Sequence, residues 1–396
     1  MKFKQYLIEA ASEDRLTHLE HAEDHIIHSG EAGFTHAFHN LQDTHEQLSG
    51  GKNKTTIMTK YDGSPSIVFG HHPETGKFFV TTKSAWNKNP KLNYSKEDIE
   101  ANHGHQPGLV HKLNAALEHL PKVAPKKGVY QGDLMHSGVK SASNPHGDVI
   151  SHGGKYHFTP NTITYATPHG SDEGKNIEKS KLGVVVHTAY HGNKFDNLKP
   201  DYAPDLSHFG KHQDVHMIDN RNDVQHAKLS TTQSLNFRNR MQAATNLFKD
   251  KDTSKAFKHI QGHEDHLSTF INKSVRDNKE PNVDDYLEHV KARHLKEIAK
   301  VKTQKSIDQK TGVMNDQLKH IEKNKSSFAH VLNMHKQLQG AKDELVHALS
   351  AKPKYEHTIN GTPSKPEGYV VVRNNRPTKL VDRQEFSRAN FLSRER

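Results

Sequence analysis

The sequence predicts an α+β protein in which an antiparallel-rich β domain carries a large helical insertion. Short apolar segments separated by turn residues indicate strands between residues 51 and 228. Apolar residues then recur at helical spacing over 229–350, and strand character returns in GYVVVRN and TKLVDRQEF within 351–396. We therefore predict an N-terminal helical segment at 1–50, a β-rich domain made of 51–228 and 351–396, and a helical insertion between its two parts.

The N-terminal segment is predicted to form two helices. Apolar residues recur at helical spacing from Leu19 to Ile27, and Gly30 is the predicted end of this first helix. The second helix lies in HAFHNLQDTHEQL and ends before Gly50.

Four histidines of this segment are spaced by three and four residues, which places them on one helical face: His18, His21, His25 and His28. Imidazoles at such spacing can bind zinc. The simpler interpretation is a solvated polar face, because the chain contains 34 histidines and no H-E-x-x-H sequence. A face that meets phosphate near the active site is a third possibility.

The β domain is predicted to begin with two strands, in TTIMTKYDGSPSIVFG and KFFVTTKSAW, joined by the turn HHPETG. SKEDIEANHG begins like a capped helix, and LVHKLNAALEHL predicts a second one. Further strands are predicted in GVYQGDLM, KYHFTP, TITYAT, LGVVVHTAY and DVHMID. SASNPHGD and AKPKYEHTINGTPSKP are predicted to be exposed connections.

The helical insertion is predicted to have two apolar stripes that face its core. The first consists of Val283, Tyr286, Leu287, Val290, Leu295 and Ile298. The second consists of Met314, Leu318, Ile321, Phe328, Val331 and Leu338. The basic helices around 291–325 either follow a nucleic-acid backbone or form a solvated surface, and both interpretations stay open at this stage.

The composition restricts the class of protein. The chain has no cysteine, which excludes disulfides and thiolate metal sites. It contains no apolar run of about 18 residues, and its N-terminus reaches charged residues too early for a signal peptide. We therefore expect a cytoplasmic protein without a membrane span. The net charge of +10 favours polyanionic partners such as nucleic acid or nucleotides.

The segment Lys60-Tyr61-Asp62-Gly63 follows an apolar strand and is the strongest local signal. A lysine in a dry or charged environment can act as a nucleophile once its amine loses a proton. Gly63 permits a tight turn, which lets the backbone approach a phosphate. The alternative is an exposed hairpin with an ordinary charged lysine.

Five segments resemble, in order, the motifs of the ATP-dependent polynucleotide ligase and capping-enzyme superfamily. KYDGSPSIVFG resembles the first motif, VYQGDLM the third, LGVVVHTAY the aromatic-bearing strand after it, PEGYVVVRN the fourth and TKLV the fifth. The resemblance covers about 55–190 and 365–386, and it implies a nucleotidyltransferase fold, the ATP-grasp-like ligase adenylation domain. Within the superfamily the chain looks most like bacteriophage RNA ligases, on the strength of K-x-D-G-S, Thr82-Lys83-Ser84 and E-G-Y-V.

The resemblance implies a set of roles at the site of covalent chemistry. Lys60 would attack the α-phosphate of ATP, and Asp62 would orient it and contact the adenylate. Asp133 would hold the ribose or a metal-bound water. Glu367 would bind the divalent metal, Mg²⁺ or Mn²⁺, with Asp133 as a second candidate ligand.

Other residues would contact the rest of the nucleotide. Lys379 and Lys83 would neutralise phosphate charge, and His187 or Tyr190 would stack on adenine. Two residues depart from the family pattern: Asp133 stands where glutamate is usual, and Val381 stands where a second lysine is often found. Arg383 would supply the missing charge.

The predicted function is an ATP-dependent polynucleotide ligase that works through a lysyl-adenylate, with RNA favoured over DNA as its substrate. Two alternatives stay open. One is a DNA ligase without accessory domains, since DNA ligases usually carry an OB-fold after the fifth motif and the 17 residues after Lys379 leave no room for it. The other is a virion-associated binding protein that keeps the nucleotidyltransferase fold without turnover, which the departures at Asp133 and Val381 would favour. A viral origin is implied by the resemblance alone.

Overall fold

The computed structural model describes residues 19–221 and 226–388 of the 396-residue chain. The chain divides into two compact units. The β unit consists mainly of 56–221 and 352–377, and the helical unit consists of 20–55, 227–351 and 378–388. This division differs from the predicted one, because the N-terminal helices and the residues after 377 belong with the helical insertion. The predictions for residues 1–18, including His18, lie outside the described residues.

The described strands are β1 (Thr56–Lys60), β2 (Ser66–His71), β3 (Phe78–Thr81), β4 (Gly128–His136), β5 (Ile150–His152), β6 (Lys155–Phe158), β7 (Thr164–Pro168), β8 (Leu182–His191), β9 (Lys199–Asp201), β10 (Val215–Met217), β11 (Glu356–Ile359), β12 (Thr362–Pro363), β13 (Gly368–Arg373) and β14 (Arg376–Leu380). The described α-helices are α1 (His25–Leu48), α2 (Lys96–His103), α3 (Pro107–His119), α4 (Asp172–Lys179), α5 (Thr231–Phe248), α6 (Thr253–Ile260), α7 (Glu264–Asp277), α8 (Val283–Ile298), α9 (Gln304–Lys323) and α10 (Lys325–Leu349).

The strands form three sheets, with the orders β1–β13–β14, β10–β8–β4–β2–β3 and β12–β11–β7–β6–β5. Strand β9 pairs with the last residues of β8. Pairing is predominantly antiparallel, whereas β8 and β10 run parallel. The predicted α+β class with antiparallel sheets is therefore confirmed.

The central sheet of the β unit is buried on both faces. Successive side chains of a strand point to opposite faces, so Ile67 and Phe69 of β2 pack with α2 and α3 on one side. Val68 points to the other side, where it packs with Trp86 and Tyr190. Each such buried side chain contributes roughly 1.5–3 kcal/mol. Burial on both faces explains why SIVFG is a continuous apolar run and does not alternate with polar residues.

Several local predictions need correction. TTIMTKYDGSPSIVFG contains two strands, because the chain turns between Lys60 and Ser66. KSAW forms a 3-10 helix, with the Thr82 side chain as its cap. The predicted connection AKPKYEHTINGTPSKP contains the hairpin β11–β12, and α4, β5 and β9 were not predicted. The capping box at Ser95 confirms the predicted start of α2.

The helical unit confirms the two predicted stripes in part. Val283, Tyr286 and Val290 are buried, but Leu295 is 48% exposed. Five residues separate Leu295 from Val290, which places them roughly 140° apart around the helix. The second stripe is divided at Asn324 between α9 and α10.

The predicted end at Gly30 is a kink, since α1 resumes after this one residue at a positive φ of 52°. Two histidines of the predicted zinc face use their rings in protein contacts, whereas the Nδ1 of His21 is buried without a hydrogen-bond partner in the described structure. His25 binds Glu20 and Thr378, and His28 binds Glu20 and Ser268. Among the described helices, none is both long and apolar enough to cross a membrane.

Candidate active site

Lys60, the last residue of β1, forms an ion pair with Glu367, which lies just before the start of β13. The antiparallel ladder of β1 and β13 pairs Lys60 with Gly368, and Glu367 immediately precedes that glycine. The Lys60 Nζ donates a short hydrogen bond to Glu367 Oε1, which forms an ion pair across 307 positions of sequence. Both residues lie in the β unit, so their contact depends on the pairing of β1 with β13 alone.

Asp133 is brought to the same place by β4. This strand pairs with β2, where Ser66 lies opposite Asp133. The charge of Asp133 acts on the Lys60 ammonium, and so does the charge of Asp62. Three carboxylates therefore surround one lysine, as the ordered motifs predict.

The electrostatics of this group keep Lys60 protonated at rest. Burial lowers the pKa of Lys60, but the charge and hydrogen bond of Glu367, with Asp133 and Asp62, outweigh it and raise the pKa above its usual value. Burial raises the pKa of Glu367 against the opposing charge of Lys60. Burial also raises the pKa of Asp133, but its hydrogen bond and charge interaction with His187 bring it below the usual value. Lys60 must therefore lose a proton before it can attack an electrophile.

The Lys60 pKa leads to a testable pH dependence. Replacement of Glu367 by Gln removes the main charge that raises this pKa, so the apparent pKa of Lys60 should fall. Competitive acetylation across a pH series, read by mass spectrometry without ATP or metal, measures it because the Lys60 side chain is 29% exposed. The exposed Lys77 is an internal control and should not change. An identical Lys60 profile in both proteins would mean that Glu367 does not govern its protonation.

Gly63 allows the chain after Lys60 to lie against β4. A Cβ atom at this position would be 2.5 Å from the Asp133 Cβ and 2.9 Å from the Met135 Sδ. Any larger residue would displace the strand that carries Asp133. The role of Gly63 in the structure is therefore a close approach between two parts of the site.

Asp62 holds the chain next to Lys60 in position. Its Oδ1 accepts a hydrogen bond of 2.7 Å from the Asn161 Nδ2, and its Oδ2 accepts from the backbone N–H groups of Thr162 (2.7 Å) and Ile163 (2.9 Å). Its own N–H donates to the Tyr165 hydroxyl at 2.7 Å. The side chain that was predicted to contact the adenylate thus uses three acceptor positions within the protein and fixes the turn after the nucleophile.

Asp62→Ala should therefore destabilise the β unit. The change leaves two backbone N–H groups without their acceptor, and hydrogen bonds to charged groups are worth about 1.5–3 kcal/mol each. We expect a loss of roughly 3 kcal/mol in unfolding free energy. Urea unfolding monitored by Trp86, the only tryptophan and a residue of the β unit, measures this loss. Asp172→Ala, at a side chain that is 99% exposed, is the control; equal midpoints for the two variants would refute this role.

His187 and Tyr190 lie on the same strand but in different environments. Gln131 pairs with Thr188 and Gly132 with Val186, so His187 is the extra residue of a β-bulge. Its Nε2 lies 3.8 Å from the Asp133 Oδ2, beside the site.

The prediction that Tyr190 stacks on adenine is corrected, because its ring is only 3% exposed and packs on Trp86 at a centroid distance of 4.6 Å. Its hydroxyl donates to the Gln131 Oε1 at 2.6 Å, so the side chain is part of the core.

Lys83, Lys379 and Arg383 do not join the group around Lys60 within the β unit. Lys83 is exposed at the start of the 3-10 helix after β3. Lys379 belongs to the helical unit, where its backbone N–H donates to the Glu20 carbonyl at 2.9 Å.

Arg383 also belongs to the helical unit and is 3% exposed. Its Nη1 donates to the Asp24 Oδ1 at 2.7 Å and its Nη2 to the Asn272 Oδ1 at 3.0 Å. The charge of Arg383 is thus neutralised inside the helical unit, which corrects the prediction that it replaces the lysine missing at Val381.

The oxygen atoms of Glu367 and Asp133 fit a hard divalent cation. Glu367 Oε2 is buried and accepts no hydrogen bond from the residues that the structure describes. A buried carboxylate oxygen without a donor is costly, and a cation would satisfy it. Two carboxylates suit Mg²⁺ or Mn²⁺, because such ions also take water and substrate phosphates as ligands.

Sequence reasoning missed the residues that support the site. Asn161 and Tyr165 act through side-chain hydrogen bonds to Asp62, and His187 acts through a β-bulge; no local pattern in the sequence indicates these contacts. The polar pair Asn161-Thr162 between two strands was the one available signal, and it indicates a turn without identifying its partner.

Comparison with known proteins gives one positive result. No curated protein and no solved structure matches the chain. A family model matches residues 16–395, which is almost the whole chain, and its family is described as one of unknown function. The chain therefore belongs to the DUF6267 family.

Proposed function

We propose that this protein is an ATP-dependent polynucleotide ligase that forms a covalent adenylate on Lys60, with RNA favoured as its substrate. The observation that carries the proposal is the contact of Lys60 with Glu367, in a group completed by Asp133. These residues come from three separate segments, each of which resembles the ligase motif for that role. The preference for RNA rests on the likeness of K-x-D-G-S and E-G-Y-V to bacteriophage RNA ligases.

The first step would begin with a proton transfer. The Lys60 ammonium gives a proton to water, and a divalent cation held by Glu367 would favour this loss because it offsets the carboxylate charge that raises the pKa of Lys60. The Nζ lone pair then attacks the α-phosphate of ATP; the N–P bond forms, the bond to the bridging oxygen breaks, and pyrophosphate leaves with that electron pair. Loss of a second proton from Nζ gives the phosphoramidate. A divalent cation at Glu367 and Asp133 would offset the charge of the triphosphate.

The remaining two steps join the strands. The 5′-phosphate of a polynucleotide attacks the adenylate, AMP moves to that phosphate, and the Lys60 amine is released. A 3′-hydroxyl then attacks the activated phosphate and AMP leaves. Asp133 is suited to hold the ribose or a metal-bound water during these steps, since its carboxylate stays ionised beside Lys60.

A binding protein without turnover is the second candidate. The burial of Arg383 with Asp24 favours it, because Arg383 then does not compensate for the lysine missing at Val381. The two candidates differ in a single measurable property, which is the covalent capture of AMP.

Incubation with ATP labelled at the α-phosphate and with Mg²⁺, followed by denaturing electrophoresis, tests the proposal. We expect a label that survives denaturation, resists alkali and is lost in acid, as a phosphoramidate requires. Excess chelator should prevent labelling, and Glu367→Ala should slow it by roughly 100-fold or more. GTP labelled at its α-phosphate is the control for recognition of the nucleobase. A parent protein that takes up no label from ATP would overturn the proposal and leave the binding protein.

A further inference from the structure

A groove with a volume of about 620 Å³ lies in the β unit beside the loop that follows the nucleophile. Its walls are formed by Ser64–Ser66, by Thr82 and Lys83, and around the first turns of α3 by Gln106, Gly108, Leu109 and Lys112. Ser66 faces Asp133 across the β2–β4 pair, so the groove adjoins the carboxylates around Lys60. The groove is therefore in place to hold a group that reacts at Lys60.

Two lysines give the groove a positive charge. Lys112 Nζ donates to the Ser64 carbonyl at 3.0 Å, which fixes the ammonium against the loop. Lys112 also forms an ion pair with Asp148, whose Oδ2 lies 3.8 Å away, but an ammonium has three donors and keeps one for a ligand. Lys83 lies on the opposite wall and forms no ion pair with any described residue. Two cations with remaining donors favour an anionic ligand such as a phosphate.

A second cavity of about 580 Å³ adjoins the groove, since Gly108 and Lys112 line both. His111 and His146 line it, with ring centroids 4.9 Å apart. The His111 Nε2 and the Asn114 Oδ1 are buried there without a hydrogen-bond partner in the described structure. This cavity thus offers polar groups beyond the two lysines.

We propose that this groove binds the 5′-phosphate end of the polynucleotide strand, with Lys83 and Lys112 as its phosphate ligands; the inference rests on the proposed ligase function. The phosphates of ATP share this chemistry, but they need only the groove. A strand continues past its terminal phosphate, and the second cavity supplies the space and the unsatisfied polar atoms for its next nucleotide. The groove and the second cavity together therefore favour the end of a polynucleotide strand over the triphosphate of ATP.

The test uses the parent chain without ATP and a short RNA that carries a fluorophore at its 3′ end, with either a 5′-phosphate or a 5′-hydroxyl. Fluorescence anisotropy should show about fivefold or greater tighter binding of the phosphorylated RNA. Lys112→Gln should remove this preference, and Lys112→Arg should restore most of it, because the charge returns. Lys126→Gln, at an exposed lysine outside the groove, is the matched control and should keep it. Urea unfolding monitored by Trp86 fluorescence checks that each variant is folded.

A second arm distinguishes the two sources of phosphate. The end preference is measured again with saturating α,β-methylene-ATP, which cannot transfer its adenylate. A preference that persists supports the strand end, whereas one that disappears assigns the groove to the nucleotide and overturns the proposal. Equal affinity of the parent for both RNA ends, or an unchanged preference in folded Lys112→Gln, also overturns it. Binding requires no turnover, so these results are distinct from a failure of self-adenylation.

Discussion

Lys60→Ala is expected to abolish the covalent attachment of AMP. The nucleophilic amine is removed, and no other described lysine contacts Glu367 in an ion pair. Lys60→Arg should fail equally, because a guanidinium keeps its proton in proteins and cannot attack the α-phosphate. Denaturing electrophoresis with labelled ATP measures both variants against the parent.

The control for these variants is Lys77→Ala, which removes an exposed lysine of the same unit. It should label at the parent rate, and each of the three variants should show a cooperative urea transition by Trp86 fluorescence, which establishes that it is folded. Labelling of Lys60→Ala at the parent rate would refute the role of this residue.

Lys342→Met should destabilise the helical unit by about 3–5 kcal/mol, the usual range for one partner lost from a buried ion pair. Lys342 and Glu23 are both fully buried, and the Nζ lies 2.7 Å from the Glu23 Oε1. Burial lowers the pKa of Lys342, but the charges of Glu23 and Asp343 outweigh it and raise the pKa. After substitution, Glu23 keeps only a 3.5 Å contact with Arg383. Urea unfolding followed by far-UV circular dichroism measures the loss, since most helices lie in this unit.

The double variant Lys342→Met, Glu23→Leu separates charge from packing. It replaces both ions by apolar groups, so it should recover most of the stability that the single variant loses. Lys336→Met, at an exposed ion pair with Glu280, is the control and should change stability by less than about 1 kcal/mol. A single variant as stable as this control would contradict the account of the buried pair.

The sequence was informative where one short motif indicated both a strand and the residue that carries the chemistry. Short motifs identified Lys60, Asp133 and Glu367, and their order implied that they meet, although Asp133 lies within β4 and does not end it as predicted. The pairing of β1 with β13 connects distant segments, which period-two patterns do not identify. Only the resemblance to ligases predicted, before the structure, that these two segments lie together.

The incorrect predictions arise from a common limit. A periodic pattern identifies an element and its apolar face but not the partner that covers that face. Tyr190 was placed at adenine because LGVVVHTAY resembles the aromatic-bearing strand of ligases, although Trp86 covers it in the core. Arg383 was placed near phosphate, although the carboxylate of Asp24 lies in a helix outside the matched motifs. The helices before residue 55 were separated from the insertion for the same reason.

The central claim is that AMP becomes attached to Lys60, and peptide mapping tests it most directly. The parent protein is incubated with ATP and Mg²⁺, digested at alkaline pH to preserve a phosphoramidate, and analysed by tandem mass spectrometry. The account predicts one adenylate per chain, located on the peptide that contains Lys60. An adenylate at any other residue, or none under conditions where the protein is folded, would contradict it.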